Sequence, residues 1–124
     1  MELITYFFDT YAFHEVIAGN PNYKDYSKGI IIITTKLNLM ELYYGLLLKF
    51  DKKIAEKYFD AFAEYAVDID DATMKEAMVF RYLYKDRRLS YVDCVGYIIA
   101  KQRNIKFLTG DKEFENLPNV EFVK

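Results

Sequence analysis

The hydrophobic residues of the chain form short uninterrupted runs that alternate with longer periodic stretches. Two runs of strand length, residues 3–8 and 29–35, are almost entirely apolar, and the second is rich in Ile. Residues 106–108 and 120–123 form shorter runs of the same kind, and residues 67–69 form a weaker one. Runs that are apolar on both faces are typical of strands buried in a parallel sheet. The pattern therefore predicts four strands and a weaker fifth.

Between these runs the apolar residues recur with the 3.6-residue period of an amphipathic helix. In the clearest case Leu39, Leu42 and Leu46 fall at positions i, i+3 and i+7. A helix is also predicted directly after Asp9, and it should stop at Gly19. The same spacing predicts four helices, over residues 39–50, 54–65, 74–84 and 92–100. Residues 19–28 are predicted to form the one long loop.

Strands that alternate with helices require βαβ crossovers, which place helices on both faces of a mostly parallel sheet. The predicted fold class is therefore α/β, a three-layer α/β/α sandwich around a central sheet of four to five strands. Residues 1–124 contain no linker, repeat or low-complexity stretch, so a single domain is expected over the whole chain. Such sheets bind their ligands at the carboxyl ends of the strands.

The composition narrows the possible functions. A content of 52% hydrophobic and 29% charged residues is typical of a compact globule. With one Cys and one His, an intrachain disulfide and a Cys/His zinc site are excluded. No apolar run has the length of a membrane span and no secretory leader is present, so we expect a cytoplasmic protein without membrane contact. The net charge of −2 argues against a general basic nucleic-acid-binding module.

Four acidic residues occupy positions that the predicted topology brings to one edge of the sheet. Asp9 directly follows the first strand, and Asp111 follows the strand at residues 106–108. The helix that contains Glu41 follows the Ile-rich strand, so it starts at the carboxyl edge. The helix that contains Asp93 leads into another parallel strand, so it must start at the same edge. The four carboxylates are therefore expected to lie together.

Two of these acids have an alternative explanation. Glu41 lies three residues after Asn38, and Asp93 lies three residues after Ser90. Each pair has the spacing of a capping box, with Asn38 and Ser90 as N-caps. Helix capping alone would explain either acid, and only the combination with Asp9 and Asp111 indicates a site.

A cluster of four carboxylates indicates a particular chemistry. Their mutual repulsion raises one or more pKa values unless cations lie between them. Hard oxygen ligands of this kind favour Mg²⁺ or Mn²⁺. The natural reaction for such a site is hydrolysis of a phosphodiester, in which the cation activates water and stabilises charge on the phosphate oxygens.

Four segments together resemble a known family. They are FFDTYA at residues 7–12, NLMELYYG at 38–45, LSYVDC at 89–94 and FLTGDKEF at 107–114. Taken in this order and at these separations, the sequence resembles PIN-domain nucleases, and especially the VapC toxins of prokaryotic toxin–antitoxin pairs. The resemblance covers essentially the whole chain and implies a PIN-like fold.

The resemblance also implies function, ligands and partners. It assigns Mg²⁺ or Mn²⁺ binding to Asp9, Glu41, Asp93 and Asp111, with RNA as the substrate. It implies a cognate VapB-like antitoxin and a homodimer, for which the candidate contact residues are Tyr23, Tyr26, Tyr43, Tyr44 and Tyr58. Some family members carry a further ligand after the last motif. Glu115 and Asn116 are the candidates here and neither matches cleanly, and the number of metal ions is open.

Neighbouring polar residues have supporting roles in this interpretation. The hydroxyls of Thr10, Ser90 and Thr109 are expected to orient the carboxylates. The alternative is that they are ordinary turn or cap hydroxyls.

A basic segment lies just before Ser90, and it should be near the mouth of the site because that helix starts at the active edge. Lys85, Arg87 and Arg88 are therefore expected to contact RNA phosphates, with Lys112 as a poorer candidate. The alternative is a solvated helix C-terminus whose charges complement the helix dipole.

The same residues leave two other functions open and exclude a third. A PIN-domain nuclease outside toxin–antitoxin systems, acting in RNA processing or on DNA, and an inert PIN scaffold that binds RNA or protein are both open. A phosphoaspartate phosphatase fails because Tyr11 stands where a second Asp is needed. His14 is not expected to act as a base, and Cys94 should be a small buried thiol.

Overall fold

A computed structural model describes residues 3–124 of the chain. The strands are β1 (Thr5–Phe8), β2 (Ile31–Ile33), β3 (Lys106–Thr109) and β4 (Val120–Phe122). The α-helices are α1 (Thr10–Ala18), α2 (Lys36–Lys49), α3 (Lys52–Phe62), α4 (Asp71–Leu83) and α5 (Tyr91–Gln102). Three short 3-10 helices cover Pro21–Tyr26, Ala63–Tyr65 and Lys112–Phe114.

The four strands form one parallel sheet in the order β2-β1-β3-β4. In the centre of the sheet, Phe7 is in register with Ile33 on one side and Phe107 on the other. Because all strands are parallel, their carboxyl ends lie at one edge. The predicted α/β class with a parallel sheet is thereby confirmed.

The two faces of the sheet are covered by different helices. Phe7 and Phe107 stack at 5.6 Å between ring centroids and pack with α4 and α5. The next residues along the strands, Phe8 and Leu108, point to the opposite face and pack with α1, α2 and α3. This alternation along each strand produces the predicted three layers.

Residues 67–69 do not form the weaker fifth strand. Pairing next to β2 is limited to a single bridge between Thr34 and Ala66, supported by the Val67 N–H, which donates to the Thr34 carbonyl at 2.9 Å. The chain then leaves the edge strand because Asp70 caps α4 by accepting the Thr73 N–H at 2.8 Å. The fifth-strand prediction is therefore wrong.

The loop predicted over residues 19–28 contains the 3-10 helix Pro21–Tyr26. Its Tyr23 is only 1% exposed, packs between the rings of Tyr11 and Tyr26, and donates from its hydroxyl to the Val123 carbonyl at 2.6 Å. Tyr23 is thus part of the core, and its proposed role as a partner contact is wrong.

Helix boundaries follow from capping residues. Gly19 ends α1 in the left-handed conformation, as predicted. The helix α2 begins at Lys36, three residues before the predicted start, because Thr35 is its N-cap. No helix within residues 3–124 has both the length and the apolarity needed to cross a bilayer.

Candidate active site

The candidate site lies at the carboxyl edge of the sheet, where Asp9 directly follows β1 and Asp111 comes just after β3. The helices α2 and α5 start at the same edge and carry Glu41 and Asp93 in their first two turns. Asp93 raises the pKa of Asp9 electrostatically, and Glu41 and Asp111 act on Asp93 in the same way. The fold therefore brings all four predicted acids into one electrostatically linked group.

Asp9 is the most buried of the four, with 3% of its surface exposed. It is the N-cap residue of α1, but its side chain makes no capping hydrogen bond. Instead Oδ2 accepts a 2.8 Å hydrogen bond from the Thr109 hydroxyl. Of the buried side-chain nitrogen and oxygen atoms in residues 3–124, only Asp9 Oδ1 lacks a partner. Such an atom is costly to bury unless a ligand satisfies it.

This environment changes the acidity of Asp9. Burial raises the pKa of Asp9 to about 8, and the nearby Asp93 and Glu41 add to the increase. The hydrogen bonds from Thr109 and from the Thr10 N–H lower the pKa only partly. Without a compensating positive charge, Asp9 is therefore a poor anion at neutral pH.

Glu41 is held by a chain of hydrogen bonds that begins at the N-cap of α2. The Thr35 hydroxyl donates to Asn38 Oδ1 at 2.6 Å, and Asn38 Nδ2 donates to the Thr10 hydroxyl oxygen at 3.2 Å. The Thr10 hydroxyl in turn donates to Glu41 Oε1 at 2.8 Å. Thr10 thus orients Glu41, on another element, rather than only its sequence neighbour Asp9.

The capping box predicted for Asn38 and Glu41 is wrong. Asn38 lies inside α2, where its N–H donates to the hydroxyl of Thr35, the true N-cap, at 3.2 Å. Glu41 lies one turn further along α2 and does not cap the helix. Thr and Asn are both residue types that cap helices, so the sequence alone did not show which of the two is the N-cap.

Asp93 does form the predicted capping box. The Ser90 hydroxyl accepts from the Asp93 N–H at 3.0 Å, and Asp93 Oδ2 accepts from the Ser90 N–H at 2.9 Å. Burial raises the pKa of Asp93 to about 6, with Glu41 and Asp111 contributing in the same direction, and the bonds to Ser90 oppose the shift. Capping and membership of the acidic group are therefore compatible roles.

Asp111 is fixed by the turn that follows β3. Its N–H donates to the Thr109 hydroxyl at 3.1 Å, and its Oδ1 accepts from the Glu113 N–H at 3.0 Å. The turn also requires Gly110, since a Cβ there would lie 2.3 Å from the Val123 carbonyl oxygen and 2.4 Å from the Tyr11 ring. Thr109 thus contacts two of the four acidic residues.

The donor set fits a hard divalent cation. Within residues 3–124, no three Asp, Glu, His or Cys side chains already converge closely enough to hold one ion by direct ligation alone. Asp93 and Glu41 nevertheless lie near enough to Asp9 to raise its pKa, and Mg²⁺ commonly keeps several waters and takes only one or two carboxylates directly. The unsatisfied oxygen and the raised pKa values of Asp9 and Asp93 are what a bound cation would correct.

Comparison with known proteins identifies the family of the chain. The profile of the PIN domain family matches residues 6–120. The chain belongs to the PIN-domain family. No functionally curated protein matches the sequence significantly.

Solved structures resemble this PIN domain over nearly its whole length. VapC20 of Mycobacterium tuberculosis, described as a sarcin–ricin loop cleaving toxin, has a TM-score of 0.77 at 17% identity, covering 96% of this chain and 99% of that one. A VapBC2 structure from Rickettsia felis, bound to promoter DNA, gives 0.72 at 18%, covering 98% and 100%. A toxin–antitoxin complex from Klebsiella pneumoniae gives 0.72 at 17%, covering 92% and 93%. The expected resemblance to PIN domains and VapC toxins is confirmed.

The basic segment of this PIN domain lies beside the turn that carries Asp111. Arg87 Nη1 donates to the Glu113 carbonyl at 2.7 Å, and the Arg88 N–H donates to Glu113 Oε1 at 3.0 Å. Lys85 lies over the Tyr82 ring, with its Nζ 5.2 Å from the centroid. The Arg87 guanidinium is thus engaged with the protein main chain, whereas the Arg88 contact uses only its backbone.

The remaining candidates are outside the acidic group. Glu115 and Asn116 are exposed after the last 3-10 helix, and neither is among the groups that shift the pKa of Asp9 or Asp93. His14 packs against α2 so closely that a Cβ on Gly45 would lie 2.6 Å from its ring, and burial lowers its pKa. Cys94 is buried, and its burial raises the thiol pKa to about 11.

Proposed function

We propose that this PIN domain is a Mg²⁺- or Mn²⁺-dependent endoribonuclease and the toxin of a toxin–antitoxin pair. The observation that carries the proposal is the buried, partnerless Oδ1 of Asp9 among four carboxylates. A buried anion of this kind is tolerated when a cation binds it, and phosphodiester hydrolysis is the chemistry that such sites perform.

In this proposal Asp9 binds the cation through Oδ1, while Asp111, Asp93 and Glu41 bind it directly or through water. A cation held there supplies an activated water and positive charge for the phosphate oxygens. The protein's own contribution is to fix the carboxylates: the Thr109 hydroxyl holds the other oxygen of Asp9, and two further donors do the same elsewhere. These are the Thr10 hydroxyl on Glu41 and the Ser90 N–H on Asp93.

RNA is proposed as the substrate because VapC20, a structural relative, is described as cleaving the sarcin–ricin loop of RNA. The phosphate backbone must approach an acidic site, so cations at the rim are required. Exposed candidates are Lys85, Arg88, whose backbone contacts Glu113, and Lys112, which directly follows Asp111 in the turn after β3.

The proposed protein partners are a VapB-like antitoxin and a second copy of the chain. Relatives from Rickettsia felis and Salmonella typhimurium are described as VapBC bound to DNA. On this chain the outer side of α2 exposes Met40, Tyr44 and Leu48, which would be covered by a protein partner. Tyr44 is therefore the strongest of the tyrosines named as contact residues.

The deciding experiment is cleavage of a panel of tRNA, rRNA fragments including the sarcin–ricin loop, and single-stranded DNA. Purified protein is incubated with Mg²⁺, Mn²⁺ or EDTA beside the Asp9→Asn variant, which keeps the shape of the side chain and removes its charge. RNA cutting that is lost with EDTA and with the variant supports the proposal. Cutting of DNA alone supports a nuclease outside toxin–antitoxin systems, and binding without cutting supports an inert scaffold.

A further inference from the structure

An apolar cavity of about 240 Å³ lies between residues of α2, α4 and α5. We name it the Tyr91 cavity. It is lined by Leu37, Ile69, Met74, Met78, Tyr91 and Val95. Tyr91 lies two residues before Asp93 at the start of α5, and Leu37 lies one helical turn before Glu41 in α2. The two helices that carry these acids therefore also form walls of the cavity.

The Tyr91 ring is exposed and contacts a cationic side chain. It is 64% exposed, and the Arg81 guanidinium lies over it, 4.9 Å from its centroid. Arg81 is itself anchored, since its Nε donates to the Leu89 carbonyl at 3.1 Å. An aromatic ring held by a cation at the rim of an apolar cavity is a preorganised stacking surface.

We propose that the Tyr91 cavity binds a nucleobase of the RNA, that of a nucleotide flanking the scissile phosphate, with the base stacked on Tyr91. This inference rests on the proposed ribonuclease function. An unpaired base has an apolar face that stacks on aromatic side chains, while its attached phosphates need positive charge. The cavity supplies the apolar walls and the ring, and Arg81 supplies the charge beside them.

Two features favour a base over an apolar protein side chain. Two of the lining residues, Tyr91 and Leu37, come from the starts of the helices that carry Asp93 and Glu41, so a strand whose phosphate reaches the acids is expected to pass the rim. The ring is also backed by a guanidinium rather than by apolar packing, which suits a ligand with negative phosphates. The occupant is therefore a base, and an antitoxin side chain is the competing outcome.

The test measures binding by the full chain in the Asp9→Asn background, which prevents cleavage. The probes are a fluorescein-labelled RNA octamer of adenosine and an abasic octamer of the same length and charge, both with Mg²⁺. Tyr91→Ala should weaken binding of the adenosine octamer about tenfold or more and leave the abasic octamer unchanged. Tyr91→Phe should restore the affinity because the ring is retained.

The matched control is Tyr82→Ala. Tyr82 is 68% exposed and also lies below a cation, Lys85, but it does not line the cavity. Its substitution should change neither affinity. Thermal melting of each variant verifies the fold, which both substitutions should preserve because the two rings are mostly exposed.

The possible outcomes distinguish a failure of base binding at the Tyr91 cavity from a failure of the proposed ribonuclease function. Equal losses with both probes, or no loss with either, overturn base binding at Tyr91. If RNA affinity is unchanged while Tyr91→Ala weakens a purified antitoxin complex, the cavity holds a protein side chain and the inference is wrong. Failure of the wild-type chain to cut any RNA in the cleavage panel overturns the ribonuclease function separately.

Discussion

The hydroxyl of Thr109 donates a 2.8 Å hydrogen bond to Oδ2 of Asp9, a residue 100 positions earlier in the chain. The same hydroxyl accepts from the Asp111 N–H at 3.1 Å. One side chain at the end of β3 thereby connects the acid after β1 with the acid after its own strand. It also leaves Asp9 Oδ1 as the atom available to a ligand.

Thr109→Val should weaken Mg²⁺ binding by roughly 10- to 100-fold, the usual effect of removing a hydrogen bond to a metal-binding carboxylate. Valine has a similar shape but no hydroxyl, so Asp9 loses the contact that fixes its orientation and lowers its pKa. Isothermal titration with Mg²⁺ measures the change. Thr109→Ser should keep most of the affinity.

Thr73→Val is the matched control for this substitution. Thr73 is also buried and its hydroxyl donates to Gln102 at 3.1 Å, at the other end of α5 from the acids. Its loss should lower stability without altering Mg²⁺ affinity. Equal Mg²⁺ affinities for Thr109→Val and the wild type would show that the hydroxyl does not position Asp9.

The contribution of Asp9 to the stability of the metal-free protein should decrease as the pH rises from about 4 to about 8. The pKa of Asp9 is raised from 3.8 to about 8, so across this window the folded chain retains a proton that the unfolded chain has released. The folded state therefore loses relative stability with increasing pH, and the loss ends above about 8. Asp93 contributes in the same direction up to about pH 6.

Melting temperatures measured in EDTA at pH 5, 6, 7 and 8 test this dependence. The difference between the Asp9→Asn variant and the wild type should grow in favour of the variant as the pH rises. Added Mg²⁺ should stabilise the wild type more at pH 8 than at pH 6, because at the higher pH it no longer competes with a proton. A difference that does not vary with pH would contradict the raised pKa.

The placement of the four acids at one edge of the sheet could be predicted from the sequence, because it depends only on strand order and direction. The sequence did not predict the hydrogen bonds that orient the four carboxylates. Thr10 was expected to act on its neighbours, yet it reaches Glu41 through a contact that exists only once α1 and α2 are packed. Asn38 was assigned as a cap, and its actual role, donating to Thr10, is also a tertiary contact.

The burial of Tyr23 also could not be predicted from the local sequence. Nothing in the pattern of residues 19–28 indicates that Tyr23 is buried, because its burial also needs Tyr11 and Val123, which lie outside this segment. The weak fifth strand failed for the opposite reason. Its local pattern was suitable, but the edge strand β2 offers it a single bridge at Thr34.

Gly110→Ala should destabilise the protein by about 1–3 kcal/mol and abolish cleavage. The new Cβ would lie 2.3 Å from the Val123 carbonyl oxygen, which belongs to the backbone and cannot rotate away. Either β4 or the turn between Thr109 and Asp111 must move. Urea denaturation measures the loss of stability, and the cleavage panel measures the loss of activity.

Gly19→Ala provides the comparison, since Gly19 has a φ of 76° and no atom within 4 Å of a Cβ. It should cost about 1 kcal/mol through backbone strain while preserving activity. If Gly110→Ala were no more harmful than Gly19→Ala, the close packing of β4 on the turn would not be needed for the site.

The two arginines of the basic segment should respond differently to substitution. Arg87→Ala should lower the free energy of unfolding by about 1 kcal/mol, since its guanidinium donates to the Glu113 carbonyl and lies 5.7 Å from the Tyr84 ring centroid. Arg88→Ala should instead weaken RNA binding and reduce the slope of log affinity against log salt by about 1, because one phosphate contact is lost.

Arg103→Ala, at the C-cap of α5 and away from the acidic edge, is the matched control for Arg88→Ala. Fluorescence anisotropy with the adenosine octamer at several salt concentrations measures the slope. A slope reduced by Arg103→Ala as much as by Arg88→Ala would mean that RNA is attracted by overall charge and not by the rim beside Asp111.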